Sequence, residues 1–267
     1  MELLSVVIPH LNQAEQLAIC LASIQAQQDV SLAVEIVVAD NGSPEPPAPE
    51  LTGPYPVRVA VEHRPGPGPA RNAGVRESNG DVLAFIDADC FAAPDWLATI
   101  ISGLAQVGTA VVGGDVRVAY VDPEHPSFHE PYEAIYSYRN DEHIAEGFSG
   151  TGNLAMFRSV FEAVGPFAGI EVAEDRDWGL RAAAAGYPAK YLPGMIVYHP
   201  ARDTMHDLTV KWDRHIAHDW ARVSGGLGRL KWLAKSAAMG ISPLAEIRTI
   251  ITSPRVHGAK ERLLAFA

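Results

Sequence analysis

The segment Gly80-Asp-Val-Leu-Ala-Phe-Ile-Asp-Ala-Asp-Cys90 constrains the fold more than any other, because an apolar run drives straight into two acidic residues. Val82 to Ile86 has the length of a buried strand. Side chains on an extended chain alternate faces, so Asp87 and Asp89 are expected to point the same way at its carboxyl end. Two like charges held together need something positive, or solvent, between them. In an open α/β sheet, ligands bind in the crevice beyond the strand ends, and hard oxygen donors suit Mg2+ or Mn2+ carrying substrate phosphates. Two solvated acids capping a strand account for the same residues, and on the pair alone the two readings stand level.

Upstream, strand and helix alternate. Leu4 to Ile8 is a β-branched run closed by Pro9, and Leu17, Leu21 and Ile24 recur at helical spacing from about Ala14 to Gln27. Glu35 to Asp40 is a second buried strand ending on an acid, followed by the turn residues Asn41-Gly42-Ser43. A β-α-β opening implies a parallel pair joined by a right-handed crossover. Pro44 to Pro56 reads as an exposed loop and Val57 to Val61 as a third strand. In Arg64-Pro-Gly-Pro-Gly-Pro-Ala-Arg-Asn-Ala-Gly74 the Pro/Gly run delays a helix to about Pro69, and the helix then runs to about Ser78. Its free N–H groups with Arg71 in the first turn make an anion site, although a rigid loop with a solvated arginine is the plainer account of these residues alone.

Downstream, the pattern predicts a helix from Pro94 to about Gln106 and a strand from Thr109 to Val118, whose Gly113-Gly114 admits a neighbouring backbone. Residues 122–147 are polar and aromatic without a period and read as an insertion or flexible loop over the site. A short helix follows near Ser159 to Val164, and another opens at Glu174-Asp-Arg-Asp-Trp-Gly-Leu-Arg181 and ends at Gly186. A solvated face with an Asp177–Arg181 pair explains its charges, but Trp178 is out of place on such a face. Short strands Lys190 to Leu192 and Met195 to Tyr198 lead to His199-Pro200.

At 267 residues the chain has room for one large α/β domain and an appendage. A net charge of −11 excludes a general nucleic-acid binder, yet residues 1–200 carry −16 and 201–267 carry +5. Two cysteines, Cys20 and Cys90, are too few for a disulfide framework or a thiolate metal site. The amino terminus lacks a basic n-region and no stretch has the length of a membrane span, so a cytoplasmic location is expected.

Together these pieces resemble the family 2 inverting glycosyltransferases of the GT-A fold. The resemblance covers residues 3 to about 200 and follows the family's order: Val7-Ile-Pro-His-Leu-Asn12, Val38-Ala-Asp-Asn-Gly-Ser43, Ala70-Arg-Asn-Ala-Gly74, Asp87-Ala-Asp89, Gly152-Asn153 and Glu174-Asp-Arg-Asp177. It implies a Rossmann-like, mostly parallel sheet flanked by helices. Residues 1–200 would form the catalytic domain, with a nucleotide-binding half at 1–118 and an acceptor half at 119–200, and 201–267 a helical extension. The implied activity is metal-dependent transfer of one sugar, with inversion, from a UDP-sugar to a hydroxyl of a glycan or lipid-linked acceptor.

By that likeness Pro9, Leu11, Asn12, Asp40, Asn41, Arg71, Asp87, Ala88 and Asp89 bind the donor, with Asp40 accepting a hydrogen bond from the base. Asp87, Asp89 and His199 would hold a divalent cation, Mn2+ or Mg2+, which neutralises the leaving diphosphate. Asp175 matches the general base. Beside it Glu174 would raise its proton affinity, and Gly152, Asn153, Glu174 and Trp178 would meet the acceptor, although a core role suits Trp178 equally. His10 stands where the family often has an aromatic or small residue, and the Gln-x-x-Arg-Trp signature of processive enzymes is missing, so single-sugar transfer is expected.

Two rivals remain at this level. A sugar nucleotidyltransferase would carry a Gly-rich loop where Pro9-His-Leu-Asn12 stands, and an inactive carbohydrate-binding relative would have no need of Asp89 and Asp175. Against a nicotinamide enzyme, Gly66-x-Gly68 lacks the third glycine of the dinucleotide fingerprint and follows the third strand rather than the first. In the tail, Leu230, Leu233, Ala234 and Ala237 share a helical face beside Lys231 and Lys235. Leu244, Ile247, Ile251, Val256, Ala259 and Leu263 keep that period among Arg248, Arg255, Lys260 and Arg262. Basic amphipathic helices suit the inner membrane face, the catalytic domain or a second subunit, and the three stay open.

Overall fold

The computed structural model describes residues 1–48, 53–202, 204–221, 223–239 and 242–266. Residues 49–52 of the expected proline-rich loop, and the Leu244 side chain, lie outside that set. The chain forms two compact units, one of Met1–Arg117 with Tyr138–His199, the other of Val118–Ser137 with Pro200–Ala267. The stretch 118–137, assigned from sequence to the acceptor half, thus groups with the carboxy-terminal helices.

In the first unit the β-branched runs become β1 (Leu3–His10), β2 (Ala33–Asp40), β3 (Val57–Val61) and β4 (Val82–Ile86). Pairing is parallel from β3 through β2 and β1 to β4. The sheet continues through β7 (Asn153–Phe157), β6 (Val111–Ala119), β8 (Lys190–Pro200) and the two-residue β5 (Phe91–Ala92). Here the direction changes: β7 runs antiparallel to both β4 and β6, and β5 antiparallel to β8. Order reverses at β1, flanked by β2 and β4, and such a switch point opens a crevice at the carboxyl strand ends. Because β7 is antiparallel, its beginning reaches the same edge, with Asn153 opposite Ile86.

Two-residue alternation sorts the strand side chains between two faces. Leu4, Val6, Ile8, Val82, Ala84 and Ile86 pack under α1 (Ala14–Gln25) and α3 (Trp96–Leu104). On the other face, Val7, Leu83 and Phe85 pack under α6 (Arg158–Val164), α7 (Glu174–Ala184) and Val75 of α2 (Pro67–Glu77). Helix α2 starts two residues earlier than its sequence predicts, since Gly66 takes φ 118° and turns the chain so that Pro67 occupies the first turn. Gly74 then lets α2 settle on β1, because a Cβ there would lie 2.4 Å from Val7 Cγ1. Pro193 and Gly194 do not divide β8, so the two short strands expected there are one.

The expected flexible loop at 122–147 is instead largely helical, with α4 (His129–Tyr136) in the second unit and α5 (Asn140–Ala145) in the first. Ala134 and Ile135 of α4 find apolar partners in Ile250, Val256 and Ala265, more than a hundred residues away. Those partners come from the tail, which forms α8 (Met205–Ala221), α9 (Gly225–Met239), α10 (Ser242–Thr252) and α11 (Gly258–Phe266). Arg262 donates to the carbonyls of Ile250, Ile251, Ser253 and Val256, satisfying the exposed end of α10. On α9, by contrast, Leu227, Leu230 and Leu233 are each more than half exposed.

Gly114 lies where the β6 backbone meets β8: a Cβ would fall 2.0 Å from the Met195 carbonyl oxygen. Backbone cannot swing aside as a flexible side chain does, so Gly114→Ala is expected to lower stability by about 1–3 kcal/mol. Gly194→Ala, whose nearest neighbour is 3.8 Å away, is the control in chemical unfolding; equal midpoints for the two variants would contradict the assignment.

Candidate active site

At the carboxyl edge, β1 and β2 end in register with His10 opposite Asp40. His10 Nδ1 lies 2.9 Å from Asp40 Oδ1, and its Nε2 accepts the Gln13 N–H. Those two contacts together define a neutral ring protonated on Nδ1. Asp40 also accepts from the Ser43 hydroxyl at 2.6 Å and from the N–H groups of Gly42 and Ser43. Burial works against its charge, but the donors from Ser43, His10 and Gly42 outweigh that and hold its carboxyl below the usual range. Both oxygens are therefore occupied by the chain itself, and the residue expected to read a nucleotide base is the knot tying two loops together.

Asn41 is spent likewise: it accepts from the Gly66 N–H and donates to the carbonyls of Glu62 and Arg64. Asn12 takes φ 54° while its N–H donates to Ser43 Oγ. Leu11 is exposed and Pro9 half-buried at the mouth of the crevice.

Asp87 and Asp89 do not share a direction. The strand stops at Ile86, and the Cys90 N–H donates to the Asp87 carbonyl at 3.0 Å, closing a turn that abolishes the alternation an extended chain would impose. Asp87 Oδ1 receives Arg71 at 2.6 Å. Asp89 turns instead toward His199 Nε2 and Gln13 Nε2, each 3.4 Å from its Oδ2. Its burial favours the neutral acid, but His199 and Gln13 hold the carboxyl below its ordinary value. Ala88 is buried between them, leaving only its backbone for any ligand. The nearest approach to a cation site among the described residues is Asp89, Cys90 and His199, whose ligand atoms all lie within 4.8 Å of one another. Asp87 is not part of it. Tyr138, at φ 57°, sets its hydroxyl 3.0 Å from His199 Nδ1. A tyrosine in that region is strained. The donor chemistry fits a divalent ion, and the outer-nitrogen partner is the usual way a histidine ligand is oriented.

Arg71 joins this edge to α7. Its guanidinium is buried, with Nη2 on Asp87 and Nη1 on Glu174 at 3.0 Å, while Nε has no partner among the described residues. Burial disfavours its charge, and Asp87 and Glu174 more than restore it. Glu174 therefore faces a cation. Asp175 Oδ1 accepts the Arg176 N–H at 2.6 Å. Near it His143 stacks on Phe148 at 4.8 Å, and burial lowers its proton affinity against the opposing charges of Asp175 and Glu146.

Two expected acceptor residues prove structural. Trp178 is 1% exposed, donates Nε1–H to the Gly165 carbonyl and packs on Phe167, so it offers no stacking face. Asn153 is fully buried, donating to the carbonyls of Asp115 and Met195 and accepting from Trp96 Nε1. Gly152 contributes its missing side chain, since a Cβ would lie 2.7 Å from Asp87 Oδ2. Sequence reasoning overlooked Gln13, Cys90, Tyr138 and His143. Gln13 and Cys90 each adjoin a recognised motif, whereas nothing local signals Tyr138 and His143.

Over residues 5–173 the sequence matches the profile described as Glycosyl transferase family 2. The chain belongs to that family. It is 33% identical over 205 residues to glycosyltransferase AglE of Haloferax volcanii, covering 74% of this chain and 67% of that one. With the pre-mycofactocin glycosyltransferase of Mycobacterium tuberculosis it shares 25% identity over 280 residues, 96% of this chain and 57% of that relative's length. Among solved structures it superposes on mannosyltransferase PcManGT of Pyrobaculum calidifontis, solved with GDP-Man and Mn2+, with TM-score 0.58 and 19% identity, covering 98% of this chain and 77% of that one. The family and the fold are thus the ones the motif order implied.

Asp40→Asn retains an acceptor for His10 but presents an amide to the N–H groups it must satisfy, which is expected to cost about 1–3 kcal/mol at neutral pH. A carboxyl depressed in the folded state contributes stability above the unfolded value, about pH 4, and loses that contribution as pH falls. The deficit of the variant in urea unfolding should accordingly shrink from pH 7 to pH 3; a constant gap would count against the network.

Proposed function

We propose that this chain moves one sugar from a nucleoside diphosphate sugar, UDP in our reading, to a hydroxyl of a glycan or lipid-linked acceptor, with inversion at the anomeric carbon. The observation that supports this is the Arg71 bridge, which joins the end of β4 to the first turn of α7, the turn that carries Asp175. Asp175 Oδ2 takes the proton of the acceptor hydroxyl as its oxygen attacks the anomeric carbon, and the bond from that carbon to the diphosphate breaks on the opposite side. Asp89 and His199 are the side chains that would hold a divalent cation, Mn2+ or Mg2+, whose contribution is to neutralise the departing diphosphate. Asp87 stays with Arg71, at the position where a ribose would pass. The loops tied by Asp40, His10 and Asn41 form a rigid cradle that holds its shape before the donor arrives.

Transfer by wild type and by Asp175→Asn across a panel of UDP- and GDP-sugars tests the reading. The variant is expected to bind donor normally while turnover falls by ~10²–10⁴-fold, and NMR of the product should show the inverted anomer. A fully active variant, or a retained anomer, would overturn it.

For the acceptor, we take the lipid-linked class. Among the described residues no helix is long and apolar enough to cross a membrane. Helix α9 nevertheless sets exposed Leu227, Leu230 and Leu233 among Arg229, Lys231 and Lys235, a composition suited to an anionic bilayer surface. Wild type should sediment with phosphatidylglycerol vesicles and be released by salt, since such attraction is worth about 1 kcal/mol per basic residue and is screened within a Debye length. Replacing the three leucines by serine should abolish sedimentation without disturbing α10 and α11, which have their own core. Unchanged sedimentation would count against α9 as the membrane contact.

A further inference from the structure

The reaction proposed above leaves the acceptor side to Asp175 alone, and beside Asp175 stands a histidine with an unused polar edge. Helix α5 ends in a Schellman closure. Gly147, at φ 97°, donates its N–H to the Ile144 carbonyl, and Phe148 donates to the His143 carbonyl, each at 3.0 Å. That closure folds Phe148 back under His143, and the two rings stack at 4.8 Å with their planes 19° apart. Phe148 in turn presses on α7, since a Cβ at Gly179 would lie 2.5 Å from the Phe148 Cβ. Asp175 precedes Gly179 by four residues and so shares that helix face. The stack therefore delivers an imidazole to the turn that carries Asp175. Around it, Asp175, Glu146, Glu142 and Asp141 oppose the loss of proton affinity that burial causes, while Arg176 stands over the Phe148 ring at 5.3 Å.

The two nitrogens of this ring are not alike. Nδ1 is shut from solvent and has no partner among the described residues. A buried N–H without an acceptor is harder to tolerate than a buried lone pair, so the proton of the neutral ring belongs on Nε2. The ring as a whole is only half-buried, and Nε2 is its open edge. We propose that His143 is an acceptor-positioning residue, its Nε2–H donating to an oxygen of the same sugar whose hydroxyl meets Asp175. One contact on the reacting hydroxyl leaves a sugar free to turn, whereas a second contact on a neighbouring oxygen selects which hydroxyl faces the base. No bond to His143 forms or breaks, and its proton stays in place. The inference rests on the reading of Asp175 as the base, but the contact itself can be seen without turnover.

Nitrogen-15 NMR of the histidine rings reads it in UDP-bound wild type, the His143 signals being those missing from His143→Gln. The neutral Nε2–H tautomer is expected at neutral pH, and at least one of octyl glucoside, galactoside, mannoside and N-acetylglucosaminide should move the Nε2 resonance. An Nδ1–H tautomer, or a resonance that none of the four glycosides moves, would overturn the proposal. In kinetics, His143→Phe keeps a ring to stack on Phe148 and removes the donor. Its KM for the glycoside should rise about 3–10-fold while its KM for the donor sugar holds. His143→Gln, whose amide N–H reaches the place of Nε2–H, should recover most of that loss. An acceptor KM equal in wild type and His143→Phe, or no recovery with Gln, would also overturn it. A glycoside that moves the His143 resonance yet is never glycosylated would refute the proposed function and leave this contact standing.

Discussion

One buried guanidinium organises the site. Arg71 sits in the first turns of α2, shut from solvent, with a carboxylate on each arm: Asp87 from the end of β4 and Glu174 from the start of α7, 103 residues further on. Stripping water from a charge costs several kcal/mol, recovered only when partners hold good geometry. Both carboxylates must be in place for the cation to remain inside, so the pairing fixes where β4 ends relative to where α7 begins. Asp175 adjoins one of those carboxylates in sequence and Asp89 stands two residues from the other. The groups proposed to act in the reaction inherit their positions from a residue that need not touch the reacting atoms.

Around that pair, the edge of the sheet divides labour between ties and chemistry. Asp40, Asn41 and Asn153 are polar side chains whose hydrogen-bonding capacity is mostly or wholly taken up by neighbouring loops and strands. Buried polar groups of this kind cost free energy unless paired, and once paired they specify one arrangement. The side chains left partly open are Asp87, Asp89 and Asp175, all half-buried. A site built this way enters its reaction with little left to order.

The sheet was legible in the chain because its strands are short β-branched runs, and the alternation within Leu4 to Ile8 and Val82 to Ile86 splits cleanly between two cores. The candidate site was legible as an ordered series of motifs, which brought Arg71, Asp87, Asp89, Glu174 and Asp175 to one edge. What each residue does there was less readable. Asp-Ala-Asp-Cys carries no glycine or proline to announce a turn, so an extended continuation was assumed and the two acids were given one direction. Trp178 and Asn153 carry groups that bind sugars, and only their partners reveal that both are enclosed. Helix α4 has no visible period because the surfaces that bury Ala134 and Ile135 arrive from the far end of the chain.

Three glycines contain no functional group, yet the geometry of the site leans on them. Gly68 brings the start of α2 against the Ala168 carbonyl and the stem of Glu174, Gly152 makes room for Asp87, and Gly114 lets β6 touch β8. At Gly152 the obstructed atom belongs to a side chain, but that side chain is committed to Arg71 and has nowhere to retreat. In a survey of tolerated substitutions these positions would stand out as sharply as the carboxylates themselves. Intolerance alone thus points to the neighbourhood of the reaction without naming the atoms that perform it, and a map of invariant positions would count empty space among the working parts.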